Sequence, residues 1–259
     1  GKLVGKGGLF TLLCLVPAAC PELAGNTSTS QLSSVDLSYI TQGEAALQQA
    51  LSILASLDTG VNAGSLLSQE NGATMSSTAL PGLGKVFRAE VVLPMPVARL
   101  HQELFERIEQ MPQWNPAIST VKVLQRIGRD TLVTHEVTAP SPGNLVGQRD
   151  FVSVRHRGRK ETAIYLVGTA THIEKLPLQK GCIRVCAGRR PLLEACRELP
   201  PCCICSGSPW DPSHTRFTWL LSMDLKGWIP TSVINRVLPQ SQADFIKHLG
   251  WHLSTTACP

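Results

Sequence analysis

Thiols are the most reactive groups in this chain, and they are crowded. Six of the nine cysteines lie between Cys182 and Cys205; Cys14 and Cys20 precede them, Cys258 is next to last, and the stretch from Pro21 to Gly181 has none. A structural zinc site wants ligands in paired short spacings. There is no pair of C-x-x-C units here, and His172 and His214 are not at finger spacing. A thiol nucleophile wants a local signature that Cys202, Cys203 and Cys205 lack. A disulfide framework would spread through the body of the chain, so the cysteine-free middle reads as reduced and intracellular. His135 and His156 read as hydrogen-bonded sheet residues rather than bases. No P-loop, dinucleotide fingerprint or H-E-x-x-H is found. No catalytic set assembles, no metal or cofactor is implied, and the chain is expected not to be an enzyme.

The bulk composition fits that reading. At 259 residues and 43% apolar, the chain is long enough for one large domain with a sizeable core. Its net charge of +5 is mild and suits an anionic membrane surface better than nucleic acid. Aromatics make up only 5%, too few for base-stacking platforms.

The elements that must position any site are legible from periodicity. The run Leu9 to Cys20 is apolar behind Lys2 and Lys6 and too short to span a bilayer. It has the build of a secretory signal, and Asn26-Thr27-Ser28 is a sequon. Residues 1–37 are taken as a leader or the product of a wrongly assigned first exon. From Ser38 to Leu57, Ile40, Leu47, Leu51, Ile53 and Leu54 recur at helical spacing. Asp58 to Gly84 reads as loop, with one short strand near Ala73 to Ser77. Lys85 to Leu93 alternates as a strand, and Pro96 opens a helix through Met111. Strands follow at Thr120 to Arg126, Thr131 to Thr138, Phe151 to Arg157 and Ala163 to Thr171, then Arg216 to Leu225. Pro230 opens a last helix to about Leu253, with Ile234, Leu238, Phe245 and Leu249 on one face. The class is α+β, with helices packed on one face of an antiparallel sheet.

Five ordered segments carry a resemblance. They are G-K-V-F-R-A-E-V-V, W-N-P, V-L-Q-R-I-G-R-D-T-L-V-T-H-E-V, G-N-L-V-G-Q-R-D-F-V-S-V-R and T-W-L-L-S-M-D-L-K-G-W-I-P. Together they resemble the START domains, and among them the branch serving steroid synthesis. The resemblance covers roughly Ser38 to Leu253 and places a lipid-binding domain at 38–259. It implies a helix-grip fold, in which a curved antiparallel sheet grips a long C-terminal helix over a sterol-sized cavity. It also implies a monomer that binds cholesterol or a related sterol and delivers it to the mitochondrial outer membrane, with a mitochondrial location. A non-transferring lipid-sensing or membrane-binding module is the alternative, using the basic run Arg155, Arg157, Arg159 and Lys160, which otherwise reads as a solvated hairpin end.

The resemblance also assigns residues. Glu136 matches the family's acidic cavity residue, Arg155 its paired arginine and Asn115 a polar wall position. Thr218 and Leu220 fall on the strand facing the cavity. Phe245 and Leu249 match the inner face of the lid helix, and Ala139 to Gln148 the loop that partners it. Thr162, in R-K-E-T, reads as a kinase site where the steroidogenic branch carries a phosphorylated serine segment. A sterol is hydrocarbon with one hydroxyl, so its carrier needs an apolar tunnel with few polar groups at one end. A buried Glu there needs a partner. Parity supports the pairing, with Glu136 sharing a face with Leu132 and Arg155 with Phe151.

Two features depart from the family pattern. Pro239 lies inside the last helix, where a kink or break between Val237 and Gln240 is expected. The stretch 185–200 has no family counterpart and reads as a retained intron, with Arg189 to Glu198 floppy or marginally helical.

Overall fold

The structure is a computed structural model of the chain. It describes residues 10–11, 14–15, 32–58, 64–70, 72–81, 84–140, 147–160, 163–185, 202–208, 211–221 and 230–256. Thr162, residues 186–201 and most of the loop between Ala139 and Gln148 lie outside the described residues.

The strands are β1 (Phe10–Thr11), β2 (Cys14–Leu15), β3 (Ser65–Glu70), β4 (Ala73–Leu80), β5 (Gly84–Leu93), β6 (Ile118–Ile127), β7 (Thr131–Thr138), β8 (Arg149–Lys160), β9 (Ala163–Ala170), β10 (Ile183–Val185), β11 (Cys202–Ser208) and β12 (Asp211–Leu221). Their order in the sheet is β3-β4-β5-β12-β11-β2-β9-β8-β7-β6, with β1 on β9 and β10 on β8. All pairs are antiparallel except β10 with β8 and β2 with β11. Strand β3 falls where loop was expected. It is an edge strand with Leu66 and Leu67 both exposed, so its sequence carries no inside-outside alternation.

Helix α1 (Ser34–Asp58) packs on one face of the sheet and α3 (Thr231–Thr255) on the other side of β5 and β12. A reciprocal capping box starts α1: the Asp36 amide donates to Ser33 Oγ at 3.0 Å and the Ser33 amide to Asp36 Oδ2 at 2.9 Å. Its buried seam is Tyr39, Gly43, Ala46, Ala50 and Ile53, while Ile40, Leu47, Leu51 and Leu54 flank it half-buried. The small residues allow close approach. A Cβ on Gly43 would lie 2.5 Å from His156 Cβ, and one on Gly158 2.3 Å from Leu47 Cδ2.

The single helix expected from Pro96 to Met111 is three pieces. An α turn, α2 (Val97–His101), passes into a π turn (Gln102–Glu106); the chain bends at Arg107 (φ −104°, ψ 28°) and continues as a 3-10 turn (Ile108–Gln113). Pro112 lies in that last turn. Of the kink or break expected at Pro239, there is no break: α3 runs through it as one continuous helix. The ring is buried beside β3, and a helix packed from Leu238 to Leu253 tolerates the loss of one backbone bond.

Candidate functional site

Strands β7 and β8 pair in register, with Leu132 opposite Arg155, Thr134 opposite Ser153 and Glu136 opposite Phe151. Alternation puts these six side chains on one face. Leu132 of that face belongs to the main core, with Val121 and Leu166 of the neighbouring strands. The opposite face carries Val133 and Val154, packed with Tyr39 of α1.

Glu136 and Arg155 are not cross-strand neighbours. Their long side chains run along the face and meet over the Thr134–Ser153 pair. Arg155 Nη2 donates to both carboxylate oxygens at 2.7 Å, and Nε donates to Oε1 at 3.0 Å. Thr134 Oγ1 donates to the same Oε1 at 2.8 Å. The pair is buried, Glu136 at 5% and Arg155 at 8% exposure. Oε1 thus accepts three bonds while Oε2 takes one, which leaves acceptor capacity on Oε2. Ser153 Oγ, fully buried on this face, has no hydrogen-bond partner.

The other expected site residues divide. Phe245 and Leu249 lie on the buried face of α3, as expected. The Phe245 ring contacts Trp219 (centroids 4.7 Å), Trp114 (5.5 Å) and Phe217 (6.5 Å). Those contacts correct the reading of β12. Phe217 and Trp219 face α3, so alternation turns Thr218 and Leu220 to the other side. Both are buried, and Thr218 Oγ1 donates to Glu90 Oε1 at 3.3 Å. Asn115 is buried too, but its Oδ1 accepts from the Ala117 amide at 3.1 Å and so shapes the turn into β6. Trp114, next to it, is the residue the sequence reading missed. It touches Phe245 and stacks on His252 at 5.3 Å.

The basic run is not one surface patch. Arg155 is spent on Glu136, and Arg157 Nε donates to Asp130 Oδ1 at 2.6 Å; Arg159 is exposed. The histidines behave as sheet residues. His156 Nδ1 lies 2.9 Å from Thr131 Oγ1 beneath Gly43, and burial lowers its pKa. His135 Nε2 lies 3.1 Å from Asp150 Oδ2. Burial alone would raise the Asp150 pKa, but bonds from Arg184, His135 and the Gln179 amide outweigh it and the net shift is downward. That cluster ties β10 and the segment before it to β8.

Helix α3 is fastened at its C-terminal end. His252 Nε2 lies 3.1 Å from Glu103 Oε2, and Arg99 Nη2 donates to Thr256 Oγ1 at 2.7 Å. Near the other end, Leu67, Ser68, Asn235, Pro239 and Ala243 line a half-open cleft of about 310 Å³ between β3 and α3. None of the expected lipid-binding residues lines it. Among the described residues, no group of three His, Cys, Asp or Glu could hold a metal, and no helix is long and apolar enough to cross a membrane.

A model of the START domain family matches residues 64–256. The chain belongs to the START domain family. This START domain is 45% identical over 235 residues to the mitochondrial steroidogenic acute regulatory protein of Mesocricetus auratus, covering 91% of this chain and 78% of that one. It is 45% identical to the protein of the same name from Danio rerio, covering 96% and 82%, and 46% identical to that from Homo sapiens, covering 84% and 71%. Among solved structures, human StAR-related lipid transfer protein 5 superposes with a TM-score of 0.70 at 19% identity, covering 85% of this chain and 98% of that one. Human STARD10 gives a TM-score of 0.53 at 16% identity, covering 86% and 82%. The fold is the α+β helix-grip fold of those proteins.

Proposed function

We propose that this chain binds one sterol between the inner sheet face and α3, and carries cholesterol to the mitochondrial outer membrane for steroid synthesis. The observation that carries the reading is the buried Glu136–Arg155 pair, with Thr134 and Ser153 between them, beside an apolar core. Two charges removed from water are costly unless their bonds are filled, and here they are filled only in part. Oε2 of Glu136 keeps acceptor capacity and Ser153 Oγ lacks a partner. A sterol hydroxyl, directly or through one water, would donate to Oε2 and accept from Ser153. The rings and tail would lie against the apolar face that includes Leu132, Val121, Phe245 and Leu249. Burying apolar ligand surface there gains about 25 cal/mol per Å². The names of the relatives, steroidogenic and mitochondrial, support the cargo and the destination. The lipid-binding unit is taken as 38–259, and the reading assigns the chain carriage rather than catalysis.

The test is a titration of the chain with a fluorescent sterol, with Glu136→Gln alongside. One-to-one saturable binding that the variant weakens at least tenfold is the expected result. A folded wild-type chain that takes up no sterol would overturn the reading.

A further inference from the structure

The connection from β9 to β10, residues 171–182, reads T-H-I-E-K-L-P-L-Q-K-G-C. It is a loop, yet its backbone is tied down from below. Arg184 Nη1 donates to the Leu176 carbonyl and Nη2 to the Pro177 carbonyl, both at 2.8 Å. The same guanidinium is held by Asp150, which is fully buried: Arg184 Nε donates to Oδ1 at 2.6 Å. Oδ2 of Asp150 also accepts from the Gln179 amide at 3.1 Å. The Cys182 amide donates to the Gln179 carbonyl at 3.1 Å, and the chain turns back through Gly181 at φ 81°. A buried ion pair thus braces the loop in one shape.

What the brace holds outward is apolar. Leu178 is 68% exposed, the most exposed large apolar residue among the described residues. Single exposed leucines are ordinary. This one is held out, because the Pro177 carbonyl before it and the Gln179 amide after it are both bonded inward. Ile183 is exposed as well. Lys175 and Lys180, both exposed, flank the tip, and Glu174 is the one carboxylate between 171 and 183. An apolar tip in a cationic collar matches the surface of an anionic bilayer. The leucine enters the acyl boundary while the ammonium groups stay with the phosphates. A specific protein partner would instead need a broad fitted surface, which one leucine on a crest does not offer. Asp150 pairs with Val137, next to Glu136, so the loop is rooted beside the buried Glu136–Arg155 pair.

Resting on the reading of the chain as a carrier that visits a membrane, we propose that the β9–β10 loop is a docking tip for anionic bilayers. Leu178 inserts, Lys175 and Lys180 hold lipid phosphates, and Asp150 with Arg184 keeps the tip presented.

Flotation of the full chain with vesicles of phosphatidylcholine, with and without phosphatidylserine, tests this. Binding to the anionic vesicles that weakens with salt is expected. Leu178→Ser should weaken it about tenfold, and Lys175→Gln or Lys180→Gln about fivefold each. Val92→Ser, an exposed apolar position on β5, should leave it unchanged. Fluorescent-sterol uptake in the absence of vesicles should be the same in Leu178→Ser as in wild type. A wild-type chain that takes up sterol but ignores both vesicles overturns the proposal and leaves the tip to a protein partner. Leu178→Ser and the lysine variants floating like wild type overturn it too, since another surface then docks. A chain that floats as expected but takes up no sterol keeps the docking tip and removes the carrier reading.

Discussion

Arg155 lies opposite Leu132, four residues before Glu136 on the same strand, yet its guanidinium closes on both oxygens of the Glu136 carboxylate. The reach matters because it stretches the ion pair over Thr134 and Ser153. The polar end of the site is therefore one continuous patch and not two isolated charges. Removing one partner of a buried pair leaves the other charge stranded, at a cost of about 3–5 kcal/mol. Glu136→Gln should therefore lose stability as well as sterol. The double variant Glu136→Leu, Arg155→Met separates the two effects. It should recover stability to within about 1 kcal/mol of wild type, since apolar isosteres replace buried pairs well. Sterol affinity should not recover. Denaturant titrations and sterol titrations of the same three proteins decide it, and recovery of binding in the double variant would reduce the pair to a structural role.

A pH dependence follows from His101. It is buried against Phe105, and its Nε2 lies 3.3 Å from Arg157 Nη1. Burial first, and the Arg157 charge second, lower its pKa to about 4. In the unfolded chain it takes up a proton near pH 6.5. Between those values the unfolded state binds more protons, so stability falls as the pH drops from about 6.5 towards 4, by about 3 kcal/mol in full. His156, also lowered by burial, adds in the same direction. Denaturant unfolding at pH 7 and pH 5 should show a loss of about 2 kcal/mol, which His101→Gln reduces. An equal loss in the variant would show that His101 protonates freely in the folded state.

The contact of α1 with β8 makes a contrasting pair of glycine predictions. Alanine is the better helix former by about 1 kcal/mol. At Gly250, where an added Cβ meets nothing within 4 Å, Gly250→Ala should raise stability by about that amount. At Gly43 the same change drives a Cβ to 2.5 Å from His156 Cβ. There α1 must lift from the sheet, and Gly43→Ala should cost about 1–3 kcal/mol. Thermal melts of the two variants should move in opposite directions, and a stabilised Gly43→Ala would mean that α1 is not seated as described.

What the sequence disclosed follows the same physics. The pairing of Glu136 with Arg155 was implied by the resemblance to the START domains, and the parity each residue shares with an apolar neighbour supported it. On β12 that signal vanishes. Its residues from Phe217 to Leu221 are buried whichever way they point, so no alternation tells the α3 side from the other, and Thr218 and Leu220 were placed on the wrong one. The α1 seam was hidden for the opposite reason. Gly43, Ala46 and Ala50 do the packing through their small size, while the large residues that mark periodicity sit at its edges. Trp114 gave no local sign, because its partners Phe245 and His252 are more than a hundred residues away.

Pro239 is where the lid should yield. The C-terminal end of α3 is tied down by Glu103 to His252 and by Arg99 to Thr256. At Pro239 there is no amide hydrogen to bond the carbonyl of Asn235 four residues back, and both residues line the cleft beside β3. A helix latched at one end and lacking a backbone bond nearer the other should open from the weakened end. Pro239→Ala supplies the missing donor at a site where the helix is already continuous, so it should raise stability by about 1–3 kcal/mol. Amide exchange across residues 231–243 should slow, and sterol release should slow with it, while exchange near His252 stays as it was. If Pro239→Ala changed neither exchange nor release, ligand would have to pass by another route, and loosening the latch with Glu103→Ala would be the variant to speed it.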